Sequence, residues 1–172
     1  MAQRTVVEAS DAILAQLGEL IRSIDTARYT TESRVVAGGS VGKHVRHILD
    51  HFGAAVETPG AEAIDYDHRQ RGTDEEHDRD AALERIDALR AALGALGEDA
   101  LAAPVTARVM CSCDGVCAEL GSTRGREIFF AMHHAIHHNA ILGAIAIELG
   151  FELPEGFGKA PSTVNNERAA AS

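Results

Sequence analysis

The stretch from Ile128 to Leu149 constrains this chain more than any other. It is the most apolar run in the sequence and long enough to cross a bilayer, which takes about 20 residues. It also carries His133, His134, His137, His138, Asn139 and Glu148. That many polar groups make a lipid-facing span improbable. The run is therefore expected to be a helix in a protein core, from Arg126 to Leu149, stopped by Gly150 and Pro154.

Three other helical segments are expected beside it. The first covers about Val6 to Ile24, where Ile13, Leu14, Leu17, Leu20, Ile21 and Ile24 recur at three- and four-residue steps. The second follows Gly38-Gly39, with Ser40 as its N-cap and Val41, Val45, Ile48, Phe52 and Val56 on one face. The third opens on the capping-box pattern Thr73-Asp-Glu-Glu76 and continues through Leu83, Ile86, Leu89, Leu93 and Leu96. Between the third and fourth, Val105 to Met110 is strand-like and Asp114-Gly115 signals a two-residue turn. This predicts a small β-hairpin across one end of a helical bundle. Pro59 to Gly72 is polar and aperiodic, a long loop. After Gly150 the chain is expected to be an irregular tail, frayed from Glu167 to Ser172.

With 172 residues the chain can bury a core without disulfides. A net charge of −10 argues against nucleic acid and anionic membranes as partners. The N-terminus lacks a secretory apolar run, and three Cys is an odd number, so reduced thiols in a cytoplasm are expected.

Chemistry concentrates in the histidines. Met132-His-His-Ala-Ile-His-His-Asn139 holds two overlapping H-x-x-x-H pairs. Residues four apart on a helix are neighbours, and two imidazoles so placed can close on one metal ion. Advancing about 100° per residue puts His134 and His138 inside the apolar arc and His133 well outside it. A third ligand must come from another helix. The second carries His44, His47 and His51 on one flank; the wheel sets His44 and His51 nearer the apolar centre. The plainer alternative is a hydrogen-bonded polar cluster. Asp50, close to His47 along the same helix, is read equally as a carboxylate that orients an imidazole or as a solvated helix-face acid, and Glu127 as a first-turn acid before a residue lining the site. Asp65, Asp67, Arg69, Arg71 and Asp74 to Glu76 are read as a solvated loop face and cap.

Cys111, Cys113 and Cys117 offer a rival metal set. Their C-x-C-x-x-x-C spacing lacks a fourth ligand. A two-residue turn would pair Ser112 with Cys117 and send Cys117 to the face opposite Cys111 and Cys113. Small apolar side chains are the default reading for these thiols.

Three stretches in order resemble the DinB/YfiT-like superfamily of metalloenzymes, over about Ala9 to Thr163. They are Ser40-Val-Gly-Lys-His-Val-Arg-His-Ile-Leu-Asp-His51, Arg126-Glu-Ile-Phe-Phe-Ala-Met-His-His-Ala-Ile-His-His-Asn-Ala140 and Phe157-Gly-Lys-Ala-Pro-Ser-Thr163. Ile64-Asp-Tyr-Asp-His-Arg-Gln-Arg71 is similar to the long loop of one uncharacterised branch. The resemblance implies an all-α fold: a four-helix bundle of up-down-down-up topology over residues 1–150, here with the hairpin between helices three and four, and the tail over 151–172. It implies one divalent ion, zinc or nickel, held by His47, His134 and His138, with His51 as the fallback for His47. It implies a homodimer and, in some relatives, a low-molecular-weight thiol cosubstrate, but it implies a site and not a particular substrate; a small molecule is the expected one. An ion with open positions could then serve thiol transfer or hydrolysis. The alternative is a non-catalytic, stress-related or small-molecule-binding module.

Overall fold

The computed structural model describes residues 2–60, 62–68 and 72–171. Four long helices dominate: α1 (Ala2–Ser23), α3 (Val41–Glu57), α4 (Arg79–Ala95) and α6 (Arg124–Leu149). Short helices α2 (Thr26–Thr30) and α5 (Glu98–Ala102) lie between them, and α7 (Pro161–Ala170) follows. Strands β1 (Ile64–Asp65), β2 (Pro104–Met110) and β3 (Cys117–Thr123) form one sheet in that order.

The core is built from the periodic apolar positions of the long helices. Leu14, Leu17, Leu20 and Ile21 meet Val45, Ile48 and Phe52, Ile86, Leu89 and Leu93, and Ile128, Leu142 and Ile145. Each stripe recurs every three or four residues, so one face of each helix leaves water. Asp11 grips Arg90 at 2.7 Å and Arg85 grips Glu57 at 2.6 Å, fixing the polar flanks.

Arg124 sets the relation of α3 to α6. Its buried guanidinium donates to the carbonyls of Ala55, Val56 and Thr58, at the end of α3. Those carbonyls have no partner within their own helix and attract a cation. The start of α6 is thereby nailed to the end of α3, and the two helices run antiparallel. At the other end of α3, Ser40 accepts from the Lys43 amide at 3.2 Å. Gly42 lets α3 approach the Glu76 carbonyl where any Cβ would lie 2.0 Å from that oxygen.

The expected all-α fold, a four-helix bundle with one two-stranded hairpin, is corrected. Seven α-helices and a three-stranded mixed sheet stand among the described residues. The third strand comes from the long loop: β1 pairs parallel with β2, Ile64 opposite Ala107. Ile64, Tyr66 and Val105 bury a second small core against Ala54, which is why a polar, aperiodic stretch still forms a strand. The tail is not irregular throughout, since Pro161 opens α7 from its first turn. The capping box at Thr73 yields only a 3-10 turn (Asp74–Glu76), and Asp78 caps α4 instead, accepting from the Asp80 amide. Arg69, Gln70 and Arg71 of the loop and Ser172 of the tail lie outside the described residues. No helix among the described residues is long and apolar enough to cross a membrane.

The hairpin turn is longer than its sequence suggested. Met110 pairs with Cys117, the Cys111 amide donates to Val116 at 2.7 Å, and the turn is Ser112 to Gly115. Gly115 takes φ +80°, the left-handed position that closes such a turn.

Candidate metal centre

Antiparallel packing of α3 on α6 turns two histidine rows into a ladder. Steps of three and four keep His44, His47 and His51 on one flank of α3, and His134 and His138 face them from α6. Moving forward along α3 means moving backward along α6. His44 therefore meets His138, with Nδ1 atoms 2.9 Å apart. His47 meets His134, with Nε2 atoms 2.8 Å apart. His51 stacks on His134 at 4.0 Å between ring centroids. His133 and His137 are exposed on the outer side of α6.

His47, His51 and His134 form the group that could hold a metal, each offering a nitrogen within 4.8 Å of the others. The expected third ligand, His138, adjoins them, its ring centroid 4.4 Å from His47 and 4.5 Å from His134. The fallback residue, His51, thus enters beside His47 instead of replacing it. His51 is also pre-oriented. Its Nδ1 lies 3.0 Å from the His47 carbonyl oxygen. A carbonyl only accepts, so Nδ1 carries the proton and Nε2 keeps its lone pair, the arrangement common to metal-bound imidazoles.

The donor set fits a borderline divalent ion. Imidazole nitrogens suit zinc, nickel and copper. Two nitrogens on one tetrahedral ion with bonds of 2.0–2.1 Å lie about 3.3 Å apart, so His47 and His134 stand at hydrogen-bond distance and need only a slight opening to share one. The surroundings favour neutral rings. Burial and then the neighbouring imidazoles, His134 first, push His138 down to about 3. Burial lowers His44 in the same direction.

An aromatic wall closes the cluster toward the sheet. Tyr66 stacks on His51 at 5.2 Å, and Phe130 lies 6.0 Å from His134. The Tyr66 hydroxyl donates to Glu127 Oε2 at 2.7 Å, and the Ser122 hydroxyl donates to Oε1 at 2.6 Å. Burial and the Glu127 carboxylate push the Tyr66 hydroxyl well above its ordinary range. Glu127 thus fixes the Tyr66 ring against His51, beyond its place in the first turn of α6. Asp50 pairs with Arg46 at 2.9 Å, and Arg46 also meets Glu76 at 2.9 Å. Tyr66 had no periodic signal in the sequence and reaches His51 through the loop that carries β1. On the other side, a cavity of about 510 Å³ reaches His44, His47 and His138 between the Gly38-Gly39 loop, Lys43 and Glu76.

The cysteines form no such metal-holding group among the described residues. Cys111 and Cys113 are exposed and Cys117 half-buried. With Met110 opposite Cys117, strand alternation sends Cys111 and Cys117 to opposite faces.

No family model matches the chain. Among curated proteins it is similar to the protein named FK506-binding protein 5 of Rhizopus delemar, 31% identical over 166 residues. The match takes in 95% of this chain and 38% of that protein. This chain therefore spans well under half the length of its relative. The relative's name speaks of FK506 and gives the all-α bundle expectation no support.

Proposed function

We propose that the chain is a DinB-like protein that binds one divalent metal ion and uses it on a small molecule. The observation that carries this is the meeting of His47, His51 and His134 from two helices, nitrogens within 4.8 Å, at a partly buried helix interface. In this reading His47 and His134 hold the ion, and His51 or His138 completes the set. Zinc or nickel suits such donors. When bound, the ion would supply a Lewis acid able to acidify a water or a thiol. The chain's own part is to present neutral imidazoles, to shield them behind Tyr66 and Phe130, and to leave the side toward Lys43 and Glu76 open to a small molecule. Thiol transfer, with a low-molecular-weight thiol cosubstrate, and hydrolysis both suit this arrangement. A cytoplasmic homodimer with no nucleic-acid partner belongs to the same reading.

The test is metal analysis and zinc titration of the purified chain. It should take up about one ion per chain, and His47→Ala or His134→Ala should abolish that uptake. Comparing His51→Ala with His138→Ala identifies the third ligand. Unchanged uptake in His134→Ala would sink the proposal.

The name of the R. delemar relative speaks of binding FK506 and supports the small-molecule-binding part of a second reading, a binding module without chemistry. FK506 is then the ligand to titrate. Saturable binding by this chain without any metal uptake supports the module.

A further inference from the structure

Two large apolar side chains remain in contact with water around one concave space. Leu120 is 54% exposed and Phe130 36%. Both line a cavity of about 350 Å³ between the sheet and the start of α6, together with Tyr66, Val109, Ser122 and Arg126. That volume lies within the usual range for small-molecule sites, about 300–1,000 Å³. Most of these walls are apolar, and they converge with a few polar groups.

Two of the walls belong to the imidazole cluster as well. Tyr66 stacks on His51, and Phe130 lies 6.0 Å from His134 and 5.1 Å from Tyr66. A guest in the cavity is one aromatic ring away from the candidate ligands.

The charges choose the polarity of that guest. Glu127 reaches the cavity, but it is 7% exposed and both its oxygens already accept hydrogen bonds, from Tyr66 and Ser122. Arg126 is exposed, with its guanidinium 5.8 Å from the Phe129 ring centroid. Among the described residues it has no carboxylate partner. The uncommitted charge at this mouth is therefore a planar fork of donors, suited to a carboxylate.

We infer that this cavity is a second small-molecule site, separated from the candidate metal ligands by the Tyr66 and Phe130 rings, and that it takes a small amphipathic carboxylate. Its aromatic or branched aliphatic body lies among Tyr66, Val109, Leu120 and Phe130, and its anion meets Arg126. As a binding site it stands on the cavity alone and does not depend on the metal reading.

The test is calorimetric titration of the full chain, zinc-loaded and chelated, with 3-phenylpropionate and its neutral amide, 3-phenylpropanamide. The acid should bind saturably and about tenfold more tightly than the amide, as a charge-assisted hydrogen bond provides. Arg126→Gln should bring the acid down to the level of the amide. Leu120→Asn, a change at an exposed position, should weaken both. Equal binding of acid and amide, no saturable binding of either, or an unchanged ratio in Arg126→Gln overturns the inference. Zinc uptake is read separately on the same samples. Acid binding without zinc uptake sustains the cavity and removes the metal reading. Zinc uptake without preference for the acid does the reverse.

Discussion

The α3–α6 interface and the tip of the β2–β3 hairpin each gather metal-loving side chains within a short span of sequence. At the interface, His47, His51 and His134 bring their nitrogens within 4.8 Å of one another. At the tip, Cys111 and Cys113 are exposed and Cys117 half-buried, and among the described residues they form no group that could hold a metal. The secondary structure beneath them makes the difference. Helical steps of three and four stack side chains on one face, whereas strand alternation deals them to opposite faces. The helices are also anchored: Arg124 ties α6 to the end of α3, and the Gly42 contact seats the start of α3 against Glu76. The turn from Ser112 to Gly115 is held only by short-range bonds of its own: the Gly115 amide to the Ser112 carbonyl, the Val116 amide to Ser112 Oγ, and Cys117 Sγ to the Gly115 carbonyl. Density of ligand residues in a sequence is thus weak evidence of a site until the element carrying them is known.

The sharpest way to break this contrast is through the glycines. Gly42→Ala puts a Cβ 2.0 Å from the Glu76 carbonyl oxygen. It should cost about 3 kcal/mol of stability, as overpacking against backbone does. Gly115→Ala meets no neighbour within 4 Å but keeps φ +80°, and should cost about 1 kcal/mol. Denaturant unfolding of the two variants checks the order; equal losses would mean that α3 is no better anchored than the hairpin tip.

Zinc affinity should separate the regions next. Removing one imidazole of three, in His134→Ala, should weaken zinc binding by about a hundredfold or more. The triple change of Cys111, Cys113 and Cys117 to Ser should leave affinity and stoichiometry unchanged. A competition titration with a chelating dye reads both.

The smallest expected effect is on pH dependence in the metal-free chain. His138 titrates near 6.5 when unfolded and near 3 when folded. The unfolded chain therefore takes up its proton first as pH falls. The associated stability is present above about 6.5 and is lost progressively from there toward 3. Chemical unfolding between pH 7 and pH 5 should show this decline, and His138→Asn should make it shallower. The same fall in wild type and variant would mean that His138 is not the half-buried, neutral ring described above.

Local sequence carried much of the helical architecture. The recurrence of Leu17, Leu20 and Ile21, of Val45, Ile48 and Phe52, and of Ile86, Leu89 and Leu93 marks faces that are in fact buried. The strand from the long loop was not legible, because β1 is two residues long and is defined by a partner about forty residues on. The turn length was not legible because Asp114-Gly115 serves equally to end a four-residue turn, and only the strand register selects between them.

The sequence by itself determined which histidines share a helix face, because the 3.6-residue period is a local property of the backbone. It could not determine which ring of α3 meets which ring of α6. That depends on the axial offset of two antiparallel helices, which Arg124, Gly42 and the core side chains set from several distant parts of the chain. The pairing of His44 with His138, and the arrival of Tyr66 over His51, were decided only there.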